Sequence, residues 1–183
     1  MTLADPGLAR PNAPLPNRYG AMCTEVYDLD KPPGSLPDIP FWIDRLAGTA
    51  GQVLEAGVGT GRLLIPLLEA GLPDMLAAGA RHCAARGLSP ALRQARFQDF
   101  AYDRSFAAIL VPVGTFNLID DFGEALAVLR RFFDHLAPGG RLMIDLLPPG
   151  FLTSERPDIR TWTTPSGDLL RIEGRAVDID LVR

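Results

Sequence analysis

The sequence predicts an α/β domain built on a mostly parallel sheet. Short apolar runs at Gln52–Ala56, Phe106–Val113 and Arg141–Leu147 read as buried strands. Helical patterns lie between them, and strands alternating with helices fit a parallel sheet covered on both faces. After residue 150 the pattern changes. Two strand-like runs flank the turn signal "PSGD", which predicts a C-terminal antiparallel β segment.

Four regions follow in order. Residues 1–18 carry Pro6, Pro11, Pro14 and Pro16 and read as a flexible arm. Residues 19–50 form a lead-in. There, Ser35 and Asp38 have the spacing of a capping box, with Asp in the acidic place, ahead of "FWIDRLAG". Phe41, Trp42 and Leu46 suit one face of a short helix that Gly48 stops. Residues 51–150 form the core. After the first strand, Arg62–Ala70 reads as a helix with Pro66 near its first turn, where a missing N–H is tolerated. Pro73–Arg86 reads as a second helix, with Pro73 at its first position and Gly87 as its stop. Ala95–Gln98 reads as a strand. Asp121 and Glu124 open a further helix, which "APGG" at 137–140 ends. Its residues Phe122, Leu126, Leu129, Phe133 and Leu136 fall at spacings of three and four, a stripe expected to face the sheet. Residues 151–183 hold the antiparallel segment, with strands expected at Ile159–Thr164 and Leu169–Leu181.

Composition narrows the function. With 183 residues, 47% of them hydrophobic, the chain can bury a core as one domain. Eighteen basic and 22 acidic residues, without a basic cluster, give no footprint for nucleic acid. The apolar runs all fall short of the roughly 18 residues of a membrane span. Cys23 and Cys83 are the only cysteines, too few for a disulfide framework or a zinc site, so reduced thiols in a cytoplasm are expected. His82 and His135, the only histidines, fall within expected helices and suit packing or surface roles.

Ligands of parallel sheets sit beyond the carboxyl ends of the strands. There the sequence places Gly57-Val58-Gly59-Thr60-Gly61, between a strand and a helix. Such glycines let the backbone turn sharply and approach a ligand, and the following helix offers free N–H groups. A dinucleotide site wants G-x-G-x-x-G. Here the third glycine falls one position early and Arg62 stands in its place. Glu55, two residues before Gly57, suits a cationic group better than a pyrophosphate.

"VLEAGVGTGRLLIPLLEAG" resembles the first motif of the class I S-adenosylmethionine-dependent methyltransferases. "FAAILVPVGTFNLIDDFGEALAVLRRFFDHLAPGGRLMIDLLPP" is similar to that family's fourth and fifth strands and the helix between them. The resemblance covers roughly residues 19–150. It implies a Rossmann-like, doubly wound sheet with helices on both faces. It also implies S-adenosyl-L-methionine as cofactor and a small-molecule methyl acceptor. Glu55, Ala56, Gly57, Gly59 and Gly61 would line the methionine and ribose end. Gln98, Asp99 and Phe100 match the position that meets the adenine, and Val111 begins the segment facing the sulfonium. Tyr19 lies in a lead-in that closes over the cofactor. No side chain stands out as a catalytic base, and such chemistry asks mainly for alignment.

Two departures stand out. The family carries a second strand ending in an acid that holds the ribose hydroxyls, about 20 residues past the glycines as in dinucleotide folds. Here "LLEAG" runs straight into "LPDMLAAGARHC", so that strand is expected to be missing at Leu72–Pro73. Asp74, thirteen residues past Gly61, suits a first helical turn better. The family's closing strands are likewise not expected within residues 151–183, whether deleted or lying outside this sequence. Two alternatives stay open: a remnant serving as an interaction domain, and a nicotinamide-dependent oxidoreductase. Unpaired sheet edges would favour a homodimer.

Overall fold

The computed structural model describes residues 21–71, 75–76, 83–89, 91, 93, 95–148, 150, 158–164 and 166–174. In chain order these residues form α1 (Ala21–Asp30), α2 (Ile39–Leu46), β1 (Val53–Glu55), α3 (Leu64–Glu69), β2 (Met75–Leu76), β3 (Phe106–Val111), a 3₁₀ turn at Thr115–Leu118, α4 (Phe122–Asp134), β4 (Leu136–Ile144), β5 (Asp158–Thr163) and β6 (Leu169–Gly174). One sheet has the order β2-β1-β3-β4 and every pairing in it is parallel. The other is the antiparallel hairpin β5-β6, with Trp162 opposite Leu170 and Arg160 opposite Ile172. Both the parallel sheet and the antiparallel segment agree with the sequence reading.

Alternation along the strands divides the core into two layers. Val53, Ala108 and Leu110 join Ile39, Trp42 and Leu46 of α2 and Leu64, Ile65 and Leu67 of α3 on one face. Leu54, Ile109 and Val111 join Phe100 and, from α4, Val128 and Phe132 on the other. Helices therefore cover both faces of the sheet.

Several local expectations hold. Gly48 takes φ 72° just after α2, the left-handed geometry of a helix stop. The Asp121 carboxylate accepts from the Glu124 N–H at 2.7 Å and caps α4. Pro66 sits in the first turn of α3. The "PSGD" turn closes with the Thr164 N–H donating to the Asp168 carbonyl at 2.8 Å.

Other expectations are corrected. Met75–Leu76 is not helical: it pairs in parallel with Val53–Leu54, so a short second strand does stand beside β1. Leu72, Pro73 and Asp74 lie outside the described residues. Local pattern favoured a helix there because two residues are too few to display a period of two. Residues 95–99 form coil and turn rather than a strand, with Asp99 and Phe100 N–H groups bonding back to the Arg96 carbonyl. "APGG" lies inside β4, where the register shifts between Phe106 and Ala108 and Gly139 takes φ 76°. These glycines serve a break in strand register, two residues of β3 (Phe106 to Ala108) against five of β4 (Leu136 to Arg141), and not a helix stop. The Ser35–Asp38 capping box does not form, since Asp38 makes no cap hydrogen bond.

The stripe on α4 also turns out differently. Phe122 and Phe133 are 80% and 74% exposed, while Val128 and Phe132 are buried. Two apolar stripes of helical spacing run along α4, and periodicity alone cannot choose which one the sheet covers.

Candidate functional site

The carboxyl ends of β1, β3 and β4 converge on the glycine loop. Gly57, Gly59 and Gly61 all take positive φ (84°, 57° and 94°), a geometry costly for other residues. Gly57 is the most constrained. A Cβ there would lie 2.7 Å from Thr115 Cγ2 and 3.5 Å from the Phe97 ring. The loop is thus pressed against the turn that follows β3. That turn is itself strained: Val113, β-branched, takes φ 56°. Its N–H donates to the Asp145 carboxylate at 3.0 Å, and the Thr115 hydroxyl donates to the Pro112 carbonyl at 2.6 Å. Residues just past β4 hold this turn in place: the Leu147 N–H donates to Asn117 Oδ1 at 3.0 Å, and Leu147 packs at Gly114.

Glu55 ends β1 at the mouth of the loop and is 3% exposed. Its Oε2 is buried with no hydrogen-bond partner, as is the Thr60 hydroxyl within the loop. Burial pushes the Glu55 carboxyl up to about 8; Arg62 offsets this in part, and Asp38 adds to it. Arg62 cannot neutralise Glu55 by contact, because it is committed elsewhere. Its guanidinium, 2% exposed, donates through Nη1 to Asp38 Oδ1 at 2.7 Å and through Nη2 to Oδ2 at 2.9 Å. Trp42 Nε1 donates to the same carboxylate at 3.0 Å. Burial alone would raise Asp38, but the Arg62 guanidinium and the Trp42 N–H hold its carboxyl below the usual range. The residue that breaks the dinucleotide pattern therefore has a structural role, tying the lead-in to the glycine loop. The Gly34 N–H, donating to the Arg62 carbonyl at 3.4 Å, adds to that tie.

The lead-in also reaches over the loop. Tyr27 of α1 lies against Gly59, its ring 3.6 Å from where a Cβ would stand, with Lys31 Nζ 5.0 Å from the ring centre. Tyr19 lies outside the described residues, and Tyr27 is the lead-in tyrosine seen at the loop. Sequence reading missed it, and also missed Phe97 beside Gly57. The signal available was only an aromatic in a lead-in, shared by both tyrosines.

The three residues expected near an adenine lie in three different environments. Gln98 is exposed in a turn. The Asp99 carboxylate accepts from Arg96 Nε at 2.7 Å and from the Arg96 N–H at 3.0 Å, and these bonds lower its pKa. Phe100 is buried in an aromatic cluster with Phe132, Tyr102 and His135, and its carbonyl accepts from Arg131 at 3.0 Å. Phe100 therefore packs the core, with its backbone already bonded. Val111 is fully buried, and its carbonyl accepts from the Asp145 N–H at 2.9 Å. Ala56 is buried and donates to the Leu110 carbonyl at 2.8 Å. Cys83 is a buried free thiol whose pKa burial raises, which suits packing. The His135 ring bonds to the Tyr102 N–H and the Arg131 carbonyl, a packing role. Among the described residues no helix is long and apolar enough to cross a membrane.

Comparison with known proteins bears on this arrangement. The family models searched include none that matches. The chain is 28% identical over 170 residues to a cypemycin N-terminal methyltransferase of Streptomyces sp, covering 83% of this chain and 65% of that protein. It superposes on the sugar N-methyltransferase KedS8 from Streptoalloteichus sp ATCC 53650 with a TM-score of 0.62 and 27% identity, covering 82% of this chain and 65% of that one. It also superposes on the glycopeptide N-methyltransferase MtfA complexed with S-adenosyl-L-homocysteine, with a TM-score of 0.52 and 26% identity over 75% and 62% of the two chains. The fold is that of the class I S-adenosylmethionine-dependent methyltransferases. The chain spans just under two thirds of the length of each of these three relatives.

Proposed function

We propose that this chain is the cofactor-binding part of an S-adenosylmethionine-dependent methyltransferase that methylates a nitrogen of a small molecule. The observation that carries the reading is the glycine loop, with the partnerless Glu55 Oε2 and Thr60 hydroxyl beside it. Two buried polar atoms left unsatisfied at one loop fit a site awaiting a polar ligand. A carboxyl at the strand end suits the ammonium of a methionine moiety, and Gly57 lets the loop close against the turn that follows β3. The nitrogen acceptor rests on the relatives, which include a sugar and a glycopeptide N-methyltransferase and an N-terminal methyltransferase.

The cofactor supplies an already activated sulfonium methyl. This chain's part is then to bind, align and exclude water, with Tyr27 over the loop and the Val113–Thr115 turn against it. A second reading, a remnant without cofactor, is favoured by one feature. The residues that follow Leu76 are Ala77-Ala78-Gly79-Ala80, without the carboxylate that would hold ribose hydroxyls.

Transfer of a labelled methyl group separates the two. Incubated with methyl-labelled S-adenosylmethionine and a panel of amino sugars and small peptides, the chain is expected to label at least one free amine and not its N-acetylated form. Labelling of hydroxyl or carboxyl acceptors alone contradicts the nitrogen assignment, and no labelling at all favours the remnant.

A further inference from the structure

We propose that ligand binding at the glycine loop is proton-coupled: Glu55 stands as a neutral acid in the free protein and releases its proton to solvent when a cationic amino group docks against it. The inference rests on the cofactor reading above and adds to it a proton whose source is named.

The geometry isolates Glu55. It lies on the same face of β1 as Val53, the face covered by α2 and α3. Among the described residues, the charged or titratable groups that bear on it are Arg62, Asp38 and Cys83. Arg62 has both terminal nitrogens on Asp38, and so closes as a neutral pair rather than as a counter-ion for Glu55. Cys83 is buried and its burial keeps the thiol protonated. Glu55 is thus a buried carboxyl without a cation in contact among the described residues, and its Oε2 has no donor there. Such a group avoids charge by keeping its proton. Burial pushes it up to about 8, so at pH 7 the neutral acid is the main form in the free protein. A docking ammonium reverses the balance. The carboxylic acid and the ammonium become a carboxylate–ammonium pair, and one proton passes to the buffer. No other bond is made or broken.

The test is isothermal titration calorimetry on the whole chain at pH 7, in phosphate and in Tris, whose ionisation enthalpies differ widely. The ligands are S-adenosylhomocysteine, which carries the amino group, and 5′-methylthioadenosine, which lacks it. S-adenosylhomocysteine is expected to release most of one proton at pH 7, and its affinity to rise by up to about tenfold between pH 6 and 7. Methylthioadenosine is expected to release none. In Glu55→Gln, a neutral substitute of similar size, proton release disappears, and binding of S-adenosylhomocysteine at pH 8.5 weakens about tenfold for want of the carboxylate. Binding of S-adenosylhomocysteine with no buffer dependence overturns the proton coupling and leaves the cofactor reading standing. Equal proton release in Glu55→Gln overturns the assignment to Glu55. No heat with either ligand overturns the cofactor reading, and the coupling falls with it.

Discussion

Replacing Asp38 by alanine is expected to destabilise the chain by about 3 kcal/mol, seen as a lower urea midpoint at unchanged m-value. The cost comes less from the lost attraction than from what is left behind. Arg62 is 2% exposed and donates to both carboxylate oxygens of Asp38. Without them a buried guanidinium is stranded, and Trp42 Nε1 loses its acceptor as well. Asp38 is partly exposed, so water fills some of its place, which sets the estimate at the low end of the usual ~3–5 kcal/mol for breaking a buried pair. The pH dependence follows the same pair. The Asp38 carboxyl is held below its unfolded value, so its contribution is present above that value and lost as pH falls through the folded one. Glu55 acts in the opposite sense. Its carboxyl is raised, so between its unfolded value and about 8 the folded state holds the extra proton, and stability declines as pH rises through that window. Asp38→Ala removes a negative charge that raises Glu55, and this window is expected to narrow.

Phe132→Ala is expected to cost about 3–5 kcal/mol, whereas Phe133→Ala stays within about 0.5 kcal/mol. Phe132 is fully buried and meets the Phe97 and Phe100 rings at 5.7 Å and 5.5 Å between centroids. Phe133, the next residue, points outward. Paired urea titrations of the two variants measure the difference, and equal losses would show that α4 is rotated from its described orientation. Phe97 links this prediction to the site. Its ring packs on Phe132 and lies beside Gly57, so the cavity left by Phe132→Ala is expected to loosen the glycine loop as well.

These two cases mark where sequence reading succeeds and fails. The glycine loop, β3 and the Asp121 cap were legible because each is fixed within a few residues, by φ preference, apolar run or a bond to the N–H three residues on. The buried face of α4 was not, because Val128 and Phe132 compete with Leu126 and Phe133 on equal periodicity, and only the sheet decides between them. Asp38 resembled a helix cap. Its real partner is 24 residues away, and no local rule points across that distance. The two-residue strand Met75–Leu76 carries too little pattern to be seen, although it pairs in parallel with Val53–Leu54. Tyr27 could not be told from Tyr19, since proximity to Gly59 is a property of the folded lead-in.

On the proposed function, the loop from Glu55 to Gly61 holds a sulfonium-type cofactor and not a dinucleotide. Equilibrium dialysis of the chain against S-adenosylhomocysteine and, in parallel, against NAD tests it most directly. Saturable binding of S-adenosylhomocysteine at one site and none of NAD is expected. Binding of NAD alone, or no S-adenosylhomocysteine bound at millimolar ligand, would contradict it.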